Sequence, residues 1–163
     1  MKIIGIDPGL SGGIAVLMNS KVLNIFDMPV MSEGKKNKRQ LNSAQLVTLI
    51  KQNIKINEDV VVIVEQVNAM PGQGVTSLFN FGQTFGAIKG VCAALELPIF
   101  FVIPSKWKKH FELINSSKDS SRTKAIEMYP TLSDQLAKKK DVNKSDAILI
   151  ARFYSETRLI DNN

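Results

Sequence analysis

Two carboxylates in this sequence directly follow apolar runs that are typical of buried β-strands. Asp7 follows residues 3–6, and Glu65 follows the β-branched run at residues 60–64. If these strands are parallel neighbours, the carboxylates lie side by side and repel each other unless a cation lies between them. Oxygen ligands without a nearby His or Cys favour hard cations, so this pair indicates Mg²⁺ or Mn²⁺.

A third carboxylate, Asp146, opens a predicted apolar helix, whose first turn could reach the same sheet end. Asp141 lies five residues earlier, just outside that helix, and is a candidate for a fourth oxygen ligand. Each residue has another interpretation, because an Asp after a strand is often a turn former and an Asp early in a helix is often a cap. Turn and cap functions explain a single carboxylate more easily than the arrangement of all these carboxylates at one end of the sheet.

The elements that must position these carboxylates follow from the hydropathy pattern. Strands are predicted at residues 2–7, 12–18, 21–28, 60–64 and 99–103, with a tight turn at Asn19 and Ser20 between the second and third. Helices are predicted from Asn42 or Ser43 to about residue 54, and at residues 75–95, 105–113, 120–129 and 143–156. Residues 31–40 and 66–74 are predicted loops. This order predicts an α/β fold: a five-stranded mixed sheet, three antiparallel strands first, flanked by helices on both sides.

Length, composition and charge limit the classes of protein to which this chain can belong. A chain of 163 residues with 44% hydrophobic content predicts a single domain over residues 1–163. The net charge of +6 raises the expectation of a polyanionic partner. Cys92 is the only cysteine, which excludes an intramolecular disulfide and a Cys-based zinc site. With no signal-peptide pattern and no apolar run of the ~20 residues that span a bilayer, we expect a soluble, intracellular protein without membrane contact.

The motifs, taken in order, resemble those of the RuvC-type Holliday-junction resolvases of the RNase H-like superfamily. Residues 4–9 (Ile-Gly-Ile-Asp-Pro-Gly) followed by Gly13 look like the opening motif of that family. Val64-Glu65 resembles its second motif and Ser145-Asp146-Ala147 its last. Residues 81–86 are similar to the glycine-containing helix that follows the second motif. The resemblance covers nearly the whole chain and implies an RNase H-like fold.

That resemblance implies a divalent-metal-dependent endodeoxyribonuclease that cuts four-way DNA junctions near the crossover, as a homodimer and without a nucleotide cofactor. It implies that Asp7, Glu65 and Asp146 are catalytic metal ligands, with two Mg²⁺ or Mn²⁺ ions per site. The family usually carries an acidic residue or His three places before its last Asp, where this sequence has Asn143. Either Asn143 ligates through its amide oxygen, or Asp141 takes that role.

Basic and apolar residues near these motifs are candidates for DNA contacts. The basic candidates are Lys35, Lys36, Lys38, Arg39, Lys106, Lys108, Lys109, Arg122, Lys124 and Lys144. Lys144 is the first choice because it lies beside Asp146, although each basic run taken alone is typical of a solvated face. Met70, in the loop after Glu65, either wedges between bases or packs against the sheet.

Three other functions are alternatives to a junction resolvase. Another RNase H-like nuclease, acting on flaps, forks or RNA–DNA hybrids, would use the same carboxylates. A sugar-kinase-like or actin-like ATPase also has an Asp and glycines after its first strand, but needs two such domains to clasp a nucleotide. A non-catalytic DNA-binding module is disfavoured, because a bare acidic cluster would repel DNA.

Overall fold

The computed structural model describes residues 1–33, 38–66, 68, 72 and 74–161. Its strands are β1 (Lys2–Asp7), β2 (Gly13–Met18), β3 (Lys21–Asp27), β4 (Val30–Glu33), β5 (Lys38–Leu41), β6 (Val60–Glu65) and β7 (Ile99–Val102). Its helices are α1 (Ser43–Asn53), α2 (Val75–Ala94), α3 (Pro104–His110), α4 (Ser120–Met128) and α5 (Val142–Asp161). Most of the predicted loop at residues 66–74 lies outside the described residues.

The main sheet has five strands in the order β3-β2-β1-β6-β7. β1 pairs antiparallel with β2 and parallel with β6, and β6 pairs parallel with β7. Asn19 and Ser20, with φ of 50° and 61°, form the tight turn between β2 and β3. The predicted five-stranded mixed sheet is therefore confirmed.

Helices cover both faces of this sheet, as predicted. Because side chains alternate along a strand, Ile4 and Ile6 of β1 pack with the buried residues of α1 and α2. Ile3 of β1 and Ile63 of β6 pack on the opposite face, against α5 and the buried residues of α3 and α4. The odd-numbered positions of β1 and β6 thus face α5.

The described parts of the predicted loop at residues 31–40, namely residues 31–33 and 38–40, form strands instead. The described parts of this segment belong to β4 and β5, which pair antiparallel from Val30 opposite Leu41 to Glu33 opposite Lys38. The prediction failed because strand prediction relies on alternation between apolar and polar residues. A hairpin outside the main sheet buries little apolar surface and does not need that alternation.

α5 begins at Val142 and continues to Asp161, so it is longer than predicted and Asp146 lies on its second turn rather than its first. A 3₁₀ turn, Lys139–Asp141, leads directly into the helix, which starts within one residue of the predicted start at about Asn143. α3 ends at His110, before the predicted end at residue 113, because Glu112 adopts a positive φ of 61°. Within the described residues, no helix combines the length and apolar character needed to cross a membrane.

Candidate metal centre

Asp7 and Glu65 end two neighbouring parallel strands. Ile6 of β1 is paired with Val64 of β6, so the next residue of each strand is Asp7 or Glu65 at the same edge of the sheet. Both occupy odd-numbered positions, which face α5. The sequence prediction that these two carboxylates meet depended on β1 and β6 being parallel neighbours, and the sheet has that order.

Two glycines allow α5 to lie very close to this edge. A Cβ on Gly5 would lie 2.2 Å from the carbonyl oxygen of Ala147, and one on Gly13 would lie 2.7 Å from the Cα of Lys144. Side chains at these positions would push α5 off the sheet. The close approach places Asp146, which lies between Lys144 and Ala147, against the ends of β1 and β6.

The three carboxylates perturb one another. Burial, together with the charges of Asp7 and Asp146, raises the pKa of Glu65 to about 7. Burial likewise raises the pKa of Asp146 to about 6, with Asp7 contributing to the increase. The pKa of Asp7 is also raised by burial, although the backbone N–H of Gly9 donates to its Oδ1 at 3.3 Å. The three carboxylates therefore lie close enough for burial and mutual repulsion to oppose their ionisation.

Other side chains leave that charge only partly compensated. Asp146 Oδ1 is buried without a hydrogen-bond partner. The Ser121 hydroxyl lowers the pKa of Asp146, and the buried indole N–H of Trp107 lowers that of Glu65 although it lacks a hydrogen bond of normal geometry. Sequence reasoning missed both residues, because neither Ser121 nor Trp107 belongs to a motif that signals a site.

The donor chemistry fits a hard divalent cation: three carboxylates, one with an oxygen that has no partner, and no His or Cys among them. In the described part of the chain, no three acidic, His or Cys side chains are arranged closely enough to enclose an ion. Binding would therefore require rotation of these side chains.

Two lysines extend their field to the carboxylates. Lys108 of α3 lowers the pKa values of Asp7, Glu65 and Asp146, and Lys118, in the segment before α4, lowers those of Asp7 and Asp146. Lys108 was among the predicted basic candidates. Lys118 was not, because a single lysine outside any basic run carries no sequence signal.

Asp141 and Asn143 occupy different environments. Asp141 Oδ2 accepts from the backbone N–H of Lys138 at 2.8 Å, and its Oδ1 lies 2.9 Å from Lys144 Nζ. Although burial opposes it, these hydrogen bonds lower the pKa of Asp141. Asn143 lies three residues before Asp146 on α5 and donates its side-chain N–H to the backbone oxygen of Ser11, which leaves its amide oxygen for a ligand.

The predicted DNA-contacting residues are scattered rather than gathered. Lys144 is ion-paired with Asp141 and has a side chain only 14% exposed. Arg122 is bound through two hydrogen bonds of 2.7 Å to Asp119. Four candidates are exposed on β5 and α3 and one is half-buried on α4: Lys38, Arg39, Lys106, Lys109 and Lys124. Lys35, Lys36 and Met70 lie outside the described residues.

The fold is similar to that of solved structures. A RuvC of T. thermophilus in complex with a Holliday junction substrate aligns with a TM-score of 0.63 and 16% identity, over 97% of this chain and 96% of that one. The chain has the fold of RuvC. A second Thermus thermophilus RuvC structure aligns with a TM-score of 0.56 and 18% identity, over 97% of each chain. The RuvC likeness confirms the predicted RNase H-like fold. No protein-family model and no curated protein matches the sequence.

Proposed function

We propose that this protein is a RuvC-like endodeoxyribonuclease that resolves four-way DNA junctions by metal-dependent hydrolysis of phosphodiester bonds near the crossover. The observation that carries the proposal is the meeting of Asp7, Glu65 and Asp146, from β1, β6 and α5, with raised pKa values and too little positive charge to balance them. Turn and cap functions do not require three distant segments to bring carboxylates to one sheet edge.

Asp7, Glu65 and Asp146 would hold Mg²⁺, with Mn²⁺ as the alternative and two ions per site, and Asn143 or Asp141 would complete the ligand set. When bound, such ions supply a metal-activated hydroxide and neutralise charge on the attacked phosphate. Asp7 belongs to the central strand of the five, next to β6, which carries Glu65.

The chain's own side chains would prepare the site for a phosphate. Lys108 and Lys118 contribute positive potential at the carboxylates, which favours approach of an anionic DNA strand. The Ser121 hydroxyl lowers the pKa of Asp146, and the fully buried Trp107 lowers that of Glu65, so both favour the ionised carboxylates. These residues position and screen the ligands rather than react.

Branched DNA is the proposed substrate because a RuvC with this fold is solved with a Holliday junction substrate. A homodimer is proposed because α2 exposes an apolar face without a cover. Val75 and Phe79 are 84% and 64% exposed, and Gly82, Gly86 and Gly90 have open space where a side chain would lie. Two copies of such a helix can approach closely across a twofold axis.

The test is incubation of the protein with a labelled synthetic four-way junction in Mg²⁺ or Mn²⁺, beside linear duplex, flap, fork and RNA–DNA hybrid of matched sequence. Paired symmetric nicks in the junction, absent with Asp7→Asn, are expected. Stronger cleavage of the hybrid, fork or flap would keep the metal chemistry and reject the junction as substrate. Binding to the junction without cleavage in either metal would contradict the proposed enzyme.

A further inference from the structure

Two adjoining clefts open beside the turn that follows β1, and we call them together the basic groove. The first is lined in part by Ser11, Arg39, Lys140 and Asn143. The second is lined in part by Lys118, Asp119, Lys139, Lys140 and Asn143. Lys140 and Asn143 line both clefts, so the two clefts adjoin at these residues, with Arg39 of β5 in the first and Lys118 in the second.

Hydrogen bonds hold the walls of the basic groove to the turn that carries Asp7. Arg39 of β5 donates from Nη2 to Ser11 Oγ at 3.2 Å. Asn143 of α5 donates its side-chain N–H to the backbone oxygen of the same Ser11. Ser11 lies only four residues after Asp7, so the groove has a fixed position relative to the carboxylates.

The charge in the basic groove is positive on balance. Four cationic side chains line it: Arg39, Lys118, Lys139 and Lys140. Two carboxylates, Asp27 and Asp119, oppose them. Asp119 is bound through both oxygens to Arg122, and Asp27 lies 3.9 Å from Lys144, so cations from outside the groove offset both. The side chains that line the basic groove therefore keep a net positive charge, which attracts anions.

One end of the basic groove lies within electrostatic reach of the carboxylates. Lys118 lines the second cleft, and its charge acts on Asp7 and Asp146. The other end reaches Arg39, which together with Lys38 lines a third cleft between β5 and α2. A linear polyanion that leaves the carboxylate site therefore meets a sequence of cations along one side of the molecule.

We propose that the basic groove binds the phosphates of the DNA strand next to the scissile bond, on one side of the cleavage site. The inference rests on the proposed function, since it takes the carboxylates as the place of cleavage. It assigns phosphate contacts to Lys139 and Lys140, which belong to no motif, and gives Arg39 a second role in fixing the position of the Asp7 turn.

Junction binding without divalent cations tests this assignment apart from cleavage. Arg39→Gln combined with Lys140→Gln should weaken binding at 0.1 M salt by about tenfold or more and lower the slope of log affinity against log salt by about 2. The control pair, Lys21→Gln with Lys51→Gln, removes the same charge from exposed positions outside the groove and should change both quantities much less.

Uncharged methylphosphonates placed singly along the DNA give a second, local readout. At positions bound by the groove, the substitution should weaken binding to the wild-type protein and have little further effect on the Arg39→Gln, Lys140→Gln protein. Equal losses in both proteins at every position would overturn the inference. The inference would also be overturned if the control pair weakened DNA binding equally. It would be overturned as well if inorganic phosphate bound to the protein without changing its affinity for DNA.

These outcomes separate the two proposals. Junction cleavage by the wild-type protein together with an unaltered affinity of the groove variant rejects the groove and keeps the enzyme. Loss of affinity that maps to particular phosphates, in a protein that never cleaves, supports the groove and rejects the enzyme.

Discussion

Gly5 of β1 lies directly against Ala147 of α5, so close that a Cβ on Gly5 would come within 2.2 Å of the Ala147 carbonyl oxygen. The same Cβ would lie 2.8 Å from the Cβ of Ala151 on the next turn. The helix therefore rests on the backbone of the central strand. Since Asp146 precedes Ala147, this contact sets the distance between Asp146 and the carboxylates of the sheet.

Gly5→Ala should destabilise the protein and impair the site together. The added methyl group meets backbone rather than a flexible side chain, so α5 must shift, at a cost of roughly 1–3 kcal/mol. Thermal unfolding and junction cleavage measure the two effects. Gly9→Ala is the control, because its nearest atom would lie at an ordinary 3.6 Å. Equal stability of the two variants would contradict the close approach.

Asp146→Asn should abolish cleavage without unfolding the protein. The neutral amide removes a buried charge that Asp7 opposes, so in EDTA the variant should be at least as stable as the wild type. Loss of one metal ligand should lower the rate by about a hundredfold or more. Cleavage assays and thermal unfolding test this, with the exposed Asp134→Asn as control. Cleavage at a near wild-type rate would exclude Asp146 from the ligand set.

Without divalent cations, stability should fall as the pH rises. The pKa of Glu65 is about 7 in the folded protein and near its ordinary value of 4.5 when unfolded, so the folded state binds the proton more tightly. This contribution is fully present below the unfolded value and is lost as the pH rises through the folded value. For Glu65 alone the loss is roughly 3 kcal/mol at most.

Chemical denaturation in EDTA between pH 4 and pH 8 measures this effect, and Glu65→Gln should flatten the profile. Adding Mg²⁺ should restore stability mainly at the upper end of the range, where the carboxylates are ionised. A wild-type profile that rises with pH in EDTA would contradict the described burial of Glu65.

Asp141 and Asn143 can be distinguished by paired substitutions. Asp141→Asn removes the ion pair with Lys144 and should cost roughly 1–3 kcal/mol of stability while leaving Mn²⁺ affinity unchanged. Asn143→Asp adds a charged oxygen three residues before Asp146 and should tighten Mn²⁺ binding. Calorimetric titration with Mn²⁺ measures the metal affinity of both variants. Weaker Mn²⁺ binding by a folded Asp141→Asn protein would instead make Asp141 the fourth ligand.

The apolar face of α2 should mediate dimerisation. Phe79→Lys places a charge at a position that is 64% exposed in one copy and would be covered in a dimer. Sedimentation velocity should show a dimer for the wild type and a monomer for this variant. Ile56→Lys, at a 94% exposed position after α1, is the matched control. A monomeric wild type, or a Phe79→Lys dimer of unchanged affinity, would exclude this interface.

The sequence could predict the main sheet because its strands are buried and therefore carry strong patterns. The β-branched run of β6 and the apolar run of β1 have one plausible local structure, and each ends on a carboxylate. Strands β4 and β5 were not predicted, because their largely polar residues lack the apolar pattern of a strand that packs on the core. The start of α5 was predicted to within one residue, whereas its continuation beyond residue 156 to Asp161 was not predicted.

The amino-acid sequence by itself determined the order of the helices and of the five strands of the main sheet, and the three carboxylates, since residue type and hydropathy are local properties. Tertiary structure alone decided which charges meet. It brought Lys118, Ser121 and Trp107 to the carboxylates and placed Asp141 in an ion pair with Lys144. The physical reason is that burial and Coulomb interaction depend on distances between segments far apart in the chain, and those distances exist only once α5 packs on the glycines of β1 and β2.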